Sequence, residues 1–195
     1  MQRTAAKTRS HVLRVAGELF YRKGIRATGV DLVAAEADVA PTTLYRLFSS
    51  KDGLVSAYVE RTHQDFEEVV EAVTETAGPD PRDQILAIFD AVFAQVSSEQ
   101  YRGCPMLMAL AEFPDADLPA HRSAVAAKTW FREIMGELTD RLGADDPGEV
   151  ADHLTLVFEG LHASGQSLGP QGPARRARSL VELILSAAAP RPGTP

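Results

Sequence analysis

Residues 28–48 read TGVDLVAAEADVAPTTLYRLF, and this stretch predicts two short helices separated by a tight turn. The first helix is expected over about residues 29–37. The Thr28 side chain can cap the free amide groups at its start, and the Asp31 side chain can accept in return from the Thr28 amide, as in a capping box. The second is expected over residues 41–48, because its leading proline has a fixed backbone angle that suits the first helical position. Only Asp-Val-Ala lies between them, which is the turn length of a helix-turn-helix.

The second of these helices divides into an apolar face and a polar face. Its apolar residues, which are expected to pack inward, are Leu44, Leu47 and Phe48. Its exposed residues are Thr42, Thr43, Tyr45 and Arg46. Hydroxyl, phenol and guanidinium groups suit contacts with phosphates and base edges, and the helix N-terminus adds amide donors for phosphate. The pattern therefore favours DNA binding.

Amphipathic helices are expected on both sides of this motif. The preceding helix covers about residues 8–23, with an apolar stripe at helical spacing and Gly24 placed to stop it. The following helix opens at Ser49, which repeats the capping-box spacing with Asp52, and it runs to a Gly-Pro break. This arrangement predicts an N-terminal three-helix DNA-binding domain over residues 1–51, followed by a long linking helix.

The rest of the chain continues the helical pattern. Apolar spacing with a period of 3.6 recurs, period-2 alternation hardly appears, and Pro and Gly lie mostly between the periodic stretches. Further helices are expected over about residues 85–96, 106–112, 119–142, 147–168 and 173–188. The predicted fold class is all-α with about nine helices, with residues 52–190 in a C-terminal helical domain and residues 191–195 as a flexible tail.

Charge is unevenly distributed along the 195 residues. Residues 1–51 hold nine Lys or Arg against four acids, a net +5, so the rest of a chain with a net charge of -7 carries -12. A basic module on an acidic body fits a phosphate-binding face confined to one part of the protein, although two halves can also differ by chance. No apolar run approaches the roughly 20 residues that span a bilayer, and the single Cys104 cannot form an intramolecular disulfide. We expect a soluble cytoplasmic protein with no membrane partner.

The N-terminal region contains the segments Gly24-Ile-Arg-Ala-Thr28-Gly-Val30 and Thr43-Leu-Tyr45-Arg-Leu-Phe48-Ser-Ser-Lys51-Asp-Gly-Leu54, with a helix end at Ala34 to Ala37 between them. These segments resemble those of the TetR family of ligand-responsive repressors. The resemblance is strong over about residues 8–66 and weaker beyond, where Arg102-Gly-Cys104 and Ala111-Glu-Phe-Pro114-Asp look like a regulatory domain found in part of the family. It implies an all-helical homodimer in which each subunit binds half of a palindromic operator in double-stranded DNA. It also implies that a small-molecule effector, bound by the C-terminal domain, releases the DNA.

The same resemblance assigns roles to individual residues. Those expected to bind phosphates are Thr28, Tyr45 and Lys51, and those expected to face the groove are Pro41, Thr42, Thr43 and Arg46. Arg46 is the best candidate for reading a base, because a guanidinium can make two hydrogen bonds to guanine, but a phosphate contact suits it equally well. The alternative for Tyr45 is a half-buried core ring flanked by Leu44 and Phe48.

The turn and the start of the second helix depart from the family pattern. Asp38 stands where the family usually has glycine, and a positive φ at this position costs an aspartate roughly 1 to 2 kcal/mol. Thr42 and Pro41 stand where the family often has glycine and lysine. The operator sequence therefore cannot be transferred from relatives.

The first nine residues include a basic arm, and two roles are open to it. It can enter a minor groove of DNA, or it can be an exposed and disordered terminus, which we favour. Its residues are Arg3, Lys7 and Arg9.

A regulatory domain of this kind implies a pocket lined mainly by apolar and aromatic side chains with a few polar ones. The candidates are Phe89, Phe93, Met106, Met108, Phe113, Trp130, Phe158 and His162. Each fits ordinary core packing at least as well, because a helical apolar stripe is first a packing surface. The two closing helices can pack within one monomer or pair with a second copy. We favour pairing, because a palindromic operator requires two readers.

An all-helical enzyme is the alternative from another functional class. Its best sign is Glu159-Gly-Leu-His162, which has the Glu-x-x-His spacing of a di-iron bundle but occurs only once. His153 and His162 match no usual zinc spacing, and Cys104 has no visible base partner. We therefore expect no catalytic site, metal site or cofactor. A further alternative, a DNA-binding regulator without an effector, differs only in the C-terminal half.

Overall fold

A computed structural model describes residues 4–188, and all regular structure in that range is helical. The helices are α1 (Ala5–Lys23), α2 (Val30–Glu36), α3 (Pro41–Phe48), α4 (Lys51–Ala77), α5 (Pro81–Val96), α6 (Pro105–Glu112), α7 (Pro119–Arg141), α8 (Pro147–Leu168) and α9 (Ala177–Ala188). The prediction of an all-α fold with about nine helices is confirmed. None of the helices in this range is long and apolar enough to cross a membrane.

Within the described residues the chain divides into two compact units. The first unit contains residues 4–64 and 105–127, and the second contains residues 65–104 and 128–188. The first unit thus holds α1 to α3 and α6, the second holds α5, α8 and α9, and α4 and α7 each contribute residues to both. The domain boundary expected after residue 51 stays a prediction.

The first unit has a core of apolar side chains from α1 to α4. Those with at most 1% of their surface exposed include Val12, Ala16, Phe20, Val33, Leu44, Leu54 and Val55. The Phe20 ring meets the Tyr58 ring edge-on, with centroids 5.4 Å apart. Burial of each large apolar side chain contributes roughly 1.5–3 kcal/mol. Because α2 and α3 have only seven and eight residues, they depend on this core for their stability.

The turn between α2 and α3 has the expected backbone geometry. Asp38 has a φ of 52°, which confirms the positive angle expected at this position. The Val39 amide donates to the Ala34 carbonyl at 3.0 Å and closes the turn. The helix-turn-helix therefore accommodates an aspartate where a glycine would be unstrained.

Gly24 ends α1 as predicted, but both predicted side-chain N-caps in this unit are wrong. The N-cap of α2 is Gly29 and no side chain caps it, because the Thr28 hydroxyl donates to the Gly24 carbonyl at 2.8 Å. At the start of α4 the capping hydroxyl is that of Ser50, which accepts from an α4 amide at 3.0 Å. Ser49 instead ends α3 with a φ of 64°, one residue too early to cap α4.

The basic N-terminal segment is helical where the structure describes it. Lys7 and Arg9 lie in α1, so the expectation of a disordered terminus is wrong for these two residues. The Thr4 hydroxyl caps the helix by accepting from the Lys7 amide at 3.4 Å, and the Arg9 guanidinium lies 4.9 Å from the centroid of the Phe48 ring. Arg3 lies outside the described residues.

The second unit packs around α5, in agreement with the apolar pattern of that helix. Its buried side chains are Ile85, Leu86, Ile88, Phe89, Val92 and Val96. They belong to one core with residues of α7, α8 and α9. α5 and α8 approach closely at Gly165, where a Cβ would lie only 2.1 Å from Cγ1 of Val96.

The end of the chain differs from the prediction at one point. The last helix is expected from residue 173, but Pro173–Arg176 form a 3₁₀ turn and α9 begins at Ala177. Such turns are common at helix N-termini, where the tighter winding satisfies backbone groups that the α-helix leaves open. The predicted tail, residues 191–195, lies outside the described residues.

Replacement of Gly165 by alanine is expected to lower the free energy of unfolding by about 1–3 kcal/mol, the usual effect of overpacking a core. The added methyl group must displace Val96, which is only 2% exposed and whose branched side chain has little rotational freedom. Denaturant titration measures the change. In the double variant with Val96→Ala, part of the loss should be recovered because the clashing methyl group is gone.

Gly136→Ala in α7 is the matched control, because a Cβ there meets nothing within 4 Å. This variant should be more stable than the parent by about 0.5–1 kcal/mol, since alanine favours a helix interior. A Gly165→Ala protein as stable as the parent would show that α5 and α8 are not in close contact at this position.

Candidate nucleic-acid interface

α3 is held to the first unit by its apolar face. Leu44 is fully buried and Phe48 is 6% exposed, and both belong to the core shared by α1 to α4. Thr43 and Leu47 are partly buried beside them. The helix is therefore fixed in rotation about its own axis, and its remaining face is directed to solvent.

The solvent face of α3 carries four of the five residues of this helix predicted to contact DNA. Thr43, which is predicted to be exposed, is partly buried. Pro41, Thr42, Tyr45 and Arg46 are all exposed, with Tyr45 at 48%. The N-cap is Ala40, whose side chain makes no capping bond. Pro41 has no N–H and the Thr43 amide donates to the Ala40 carbonyl at 2.9 Å, so Thr42 supplies the amide that the first turn of α3 can offer to a ligand. Amides at a helix N-terminus favour phosphate binding. This face combines hydroxyl, phenol and guanidinium groups with no acidic side chain among them.

The two residues predicted to flank this face as phosphate clamps have structural contacts. Thr28 is fully buried, and its hydroxyl proton is used in the bond to Gly24. The Lys51 ammonium group donates to the Arg26 carbonyl at 3.1 Å and is partly buried. Both side chains thus hold the loop between α1 and α2. A phosphate contact from Thr28 would have to use its backbone, whereas Lys51 has further donors.

The predicted pocket residues fall in both units. Met106, Met108 and Phe113 belong to the first unit, and Phe89, Phe93, Trp130, Phe158 and His162 belong to the second. In the second unit, the Phe158 ring stacks on the Phe131 ring, with centroids 3.8 Å apart, and meets the His162 ring edge-on, with centroids 4.6 Å apart. Phe66, which the sequence analysis did not single out as a pocket residue, contacts both the Trp130 and Phe158 rings at 5.9 Å.

A partly buried polar group lies against these rings. The Lys128 ammonium is 2.8 Å from the Glu159 carboxylate, 3.4 Å from the Cys104 sulfur and 5.0 Å from the centroid of the Phe158 ring. Sequence reasoning missed Lys128, because its partners are remote in the chain. The carboxylate of the Glu-x-x-His motif, Glu159, is therefore engaged in an ion pair with Lys128.

His162, the histidine of that motif, is bound to Tyr101. The Tyr101 hydroxyl lies 2.7 Å from Nδ1 of His162. Burial, with a smaller effect from the charge of Lys128, lowers the pKa of His162 to about 3. The imidazole is therefore neutral at pH 7, and its Nδ1 can accept a hydrogen bond from the Tyr101 hydroxyl. No group of three or more His, Cys, Asp or Glu residues in the described part of the chain is placed to hold a metal ion.

One contact in the first unit involves a residue to which the sequence assigned no role. The Glu112 carboxylate, at the end of α6, accepts from the backbone amides of Ile25 and Arg26 at 2.9 and 2.6 Å. Glu112 lies in the Ala111-Glu-Phe-Pro114-Asp motif. That motif is the only signal in the sequence that could have drawn attention to it, because helical periodicity does not report contacts between distant segments.

Comparison with known proteins agrees with this geometry. The model of bacterial regulatory proteins of the tetR family matches residues 12–58, which span the helix-turn-helix. SCO4454, a TetR-family transcriptional regulator from Streptomyces coelicolor, has a structure similar to this one over 95% of this chain and 97% of its own, with a TM-score of 0.89 and 31% sequence identity. The chain belongs to the TetR family. The HTH-type transcriptional regulator YjdC of Escherichia coli is 28% identical over 189 residues, which are 95% of this chain and 97% of YjdC.

Membership of the TetR family makes this chain a DNA-binding transcriptional regulator and not an enzyme. The helix-turn-helix of the family is the segment α2 to α3, which contains the residues predicted to read DNA. The contributions of individual side chains on this TetR-family surface remain predictions.

Arg46→Ala is expected to weaken binding to DNA selected from a random pool by about 5- to 150-fold, because one good charged contact to a base is worth about 1–3 kcal/mol. The melting temperature should change little, since Arg46 is exposed. Arg46→Lys separates the two roles: loss of discrimination between sequences indicates base reading, and unchanged discrimination indicates a phosphate contact. Fluorescence anisotropy titrations measure both variants.

Arg175→Ala provides the charge-matched control, because it removes the same charge from an exposed position of the second unit. It should bind the selected DNA nearly as well as the parent. If Arg46→Ala also bound every sequence as tightly as the parent, α3 would not be the recognition helix.

Proposed function

We propose that this TetR-family regulator is a cytoplasmic repressor that binds a palindromic operator as a homodimer and is released by a small-molecule effector. The observation that carries the proposal is the rigid, exposed face of α3, with Thr42, Tyr45 and Arg46 directed to solvent. One such helix can contact only a few base pairs in a major groove. A specific operator therefore calls for a second reader, which a second copy of the chain would supply.

The apolar surface of α8 and α9 supports pairing of two copies. Four leucines on these helices are 45% to 69% exposed: Leu156, Leu168, Leu180 and Leu183. Beside them lies a groove of about 370 Å³, walled mainly by apolar groups that include Val157, Leu161, Ala174 and Ala177. Several large exposed apolar side chains grouped on one helix pair are unusual for a monomer and typical of an interface. Two helices from each copy would form a four-helix interface.

A groove in the second unit supports the effector part of the proposal. It measures about 400 Å³, within the usual range for small-molecule sites, and Trp130, Ile134 and Leu138 form its apolar wall. Polar groups from α4, α5 and α7 complete it: Glu67, Glu71, Thr74, Gln84, Glu137 and Arg141. Trp130 is the predicted pocket residue that lines this groove. Of the other predicted residues of the second unit, Phe89, Phe158 and His162 are buried and Phe93 is partly buried. Their role in effector binding is part of the proposal.

Leu183→Glu is expected to convert the dimer into a monomer and to weaken operator binding at least about tenfold, because it would bury a charge in an apolar interface. Sedimentation measures the first effect, with the parent at twice the 21.1 kDa of one chain and the variant at one chain. Val69→Glu is the control, since Val69 is 45% exposed but lies on α4. A parent protein that binds its operator tightly as a monomer would contradict the proposed dimer.

An effector can be sought through Trp130, the only tryptophan of the chain. A compound that fills the groove is expected to change Trp130 fluorescence, raise the melting temperature by mass action and release bound DNA. Ile134→Phe, which narrows the groove and keeps Trp130 as the only tryptophan, should weaken all three effects. A compound that releases DNA from the parent and from this variant at the same concentration would place the effector site elsewhere.

A further inference from the structure

The loop between α1 and α2 is held by a carboxylate that is distant in sequence. Gly24 ends α1 with a φ of 91°, which directs the next two backbone amides away from the helix. Oε1 of Glu112 accepts from the Ile25 amide at 2.9 Å, and Oε2 accepts from the Arg26 amide at 2.6 Å. Each carboxylate oxygen thus binds one of two consecutive amides. Bonds to an ionised acceptor are roughly twice as strong as neutral ones.

The residue after Glu112 contacts the same loop. The Arg26 guanidinium lies 5.4 Å from the centroid of the Phe113 ring, which is buried. His121 fixes this segment in turn, because its Nδ1 lies 2.8 Å from the Phe113 carbonyl and donates to it. Two adjacent residues at the end of α6 therefore bind the loop. Glu112 binds its backbone amides, and Phe113 contacts the Arg26 side chain.

The same loop also holds the residues that flank the DNA-reading face. The Thr28 hydroxyl donates to the Gly24 carbonyl at 2.8 Å, immediately before α2. The Lys51 ammonium donates to the Arg26 carbonyl at 3.1 Å, at the first residue of α4. Hydrogen bonds therefore join this five-residue loop to the first residue of α4, and the loop leads directly into α2. α3 lies between α2 and α4 in sequence.

Electrostatics alone gives no reason for an acid at this position. A carboxylate in a DNA-binding unit repels phosphates and should lower DNA affinity. Ile25 is 1% exposed, and its part-buried amide would lose its hydrogen-bond partner without Glu112. A buried amide without a hydrogen-bond partner would destabilise this conformation of the loop. The benefit of Glu112 is thus a fixed loop.

We propose that Glu112 is a positioning residue for DNA binding, which holds the Gly24–Thr28 loop through the Ile25 and Arg26 amides and so orients the helix-turn-helix without touching DNA. The inference rests on the proposed use of α3 as the reading helix. It adds a residue outside the helix-turn-helix on which operator affinity depends.

The test compares Glu112→Gln with Glu99→Gln, an exposed acid in the turn after α5 that carries the same charge. Both variants remove one negative charge, so simple electrostatics predicts tighter DNA binding for both. Positioning predicts the opposite for Glu112→Gln, because an amide offers one acceptor oxygen and places an NH₂ group against the second amide. We expect about tenfold weaker binding for Glu112→Gln, and unchanged or tighter binding for Glu99→Gln, in anisotropy titrations at one salt concentration.

Glu112→Asp supplies a second variant with the charge retained. Its side chain is one methylene shorter and cannot reach both amides, so it too should bind DNA more weakly than the parent. Amide hydrogen exchange without DNA gives an independent readout: exchange at Ile25 and Arg26 should accelerate in both Glu112 variants, while exchange in the interior of α1 stays unchanged.

DNA binding equal to or tighter than that of the parent in both Glu112 variants would overturn the inference, as would unchanged exchange at the two amides. Failure of the proposed function has a different signature. In that case the parent and Glu99→Gln would themselves show no preference for any DNA sequence.

Discussion

The burial of Leu44 and Phe48 is the constraint on which the DNA-binding part of the protein depends. α3 has eight residues, too few for a stable isolated helix, and it exists because these side chains complete the core of the first unit. Their burial also fixes the rotation of α3 about its axis. The face with Thr42, Tyr45 and Arg46 is exposed as a consequence, and it is rigid because the opposite face is packed.

The loop between α1 and α2 adds a second constraint. Thr28, Lys51 and Glu112 all bind its backbone, so these side chains help to place the reading helix. Two of them, Thr28 and Lys51, resemble phosphate-binding positions of the TetR family. Fixing a loop and contacting a phosphate are compatible for Lys51, because an ammonium group has three donors. For a fully buried Thr28 hydroxyl the structural contact dominates.

Local patterns in the sequence were sufficient to predict most of the fold. The bounds of α3 and α8 follow from the prolines at their starts and the apolar spacing, and the positive φ of Asp38 follows from its place in the turn. Caps were less predictable, because Ser49 and Ser50 are adjacent hydroxyls and their backbone angles decide which one caps α4. Contacts between distant segments were not predictable. Lys128 with Glu159, and Glu112 with the loop, each join residues that no periodic pattern relates.

The most direct measurement of the central claim is selection of bound sequences from a random pool of duplex DNA. An exposed α3 in each of two paired copies predicts enrichment of an inverted repeat, with half-site centres separated by about one helical turn of DNA or a multiple of it. Such a result would report both the reading helix and the dimer. Enrichment of no sequence, or of a single site without two-fold symmetry, would contradict the account.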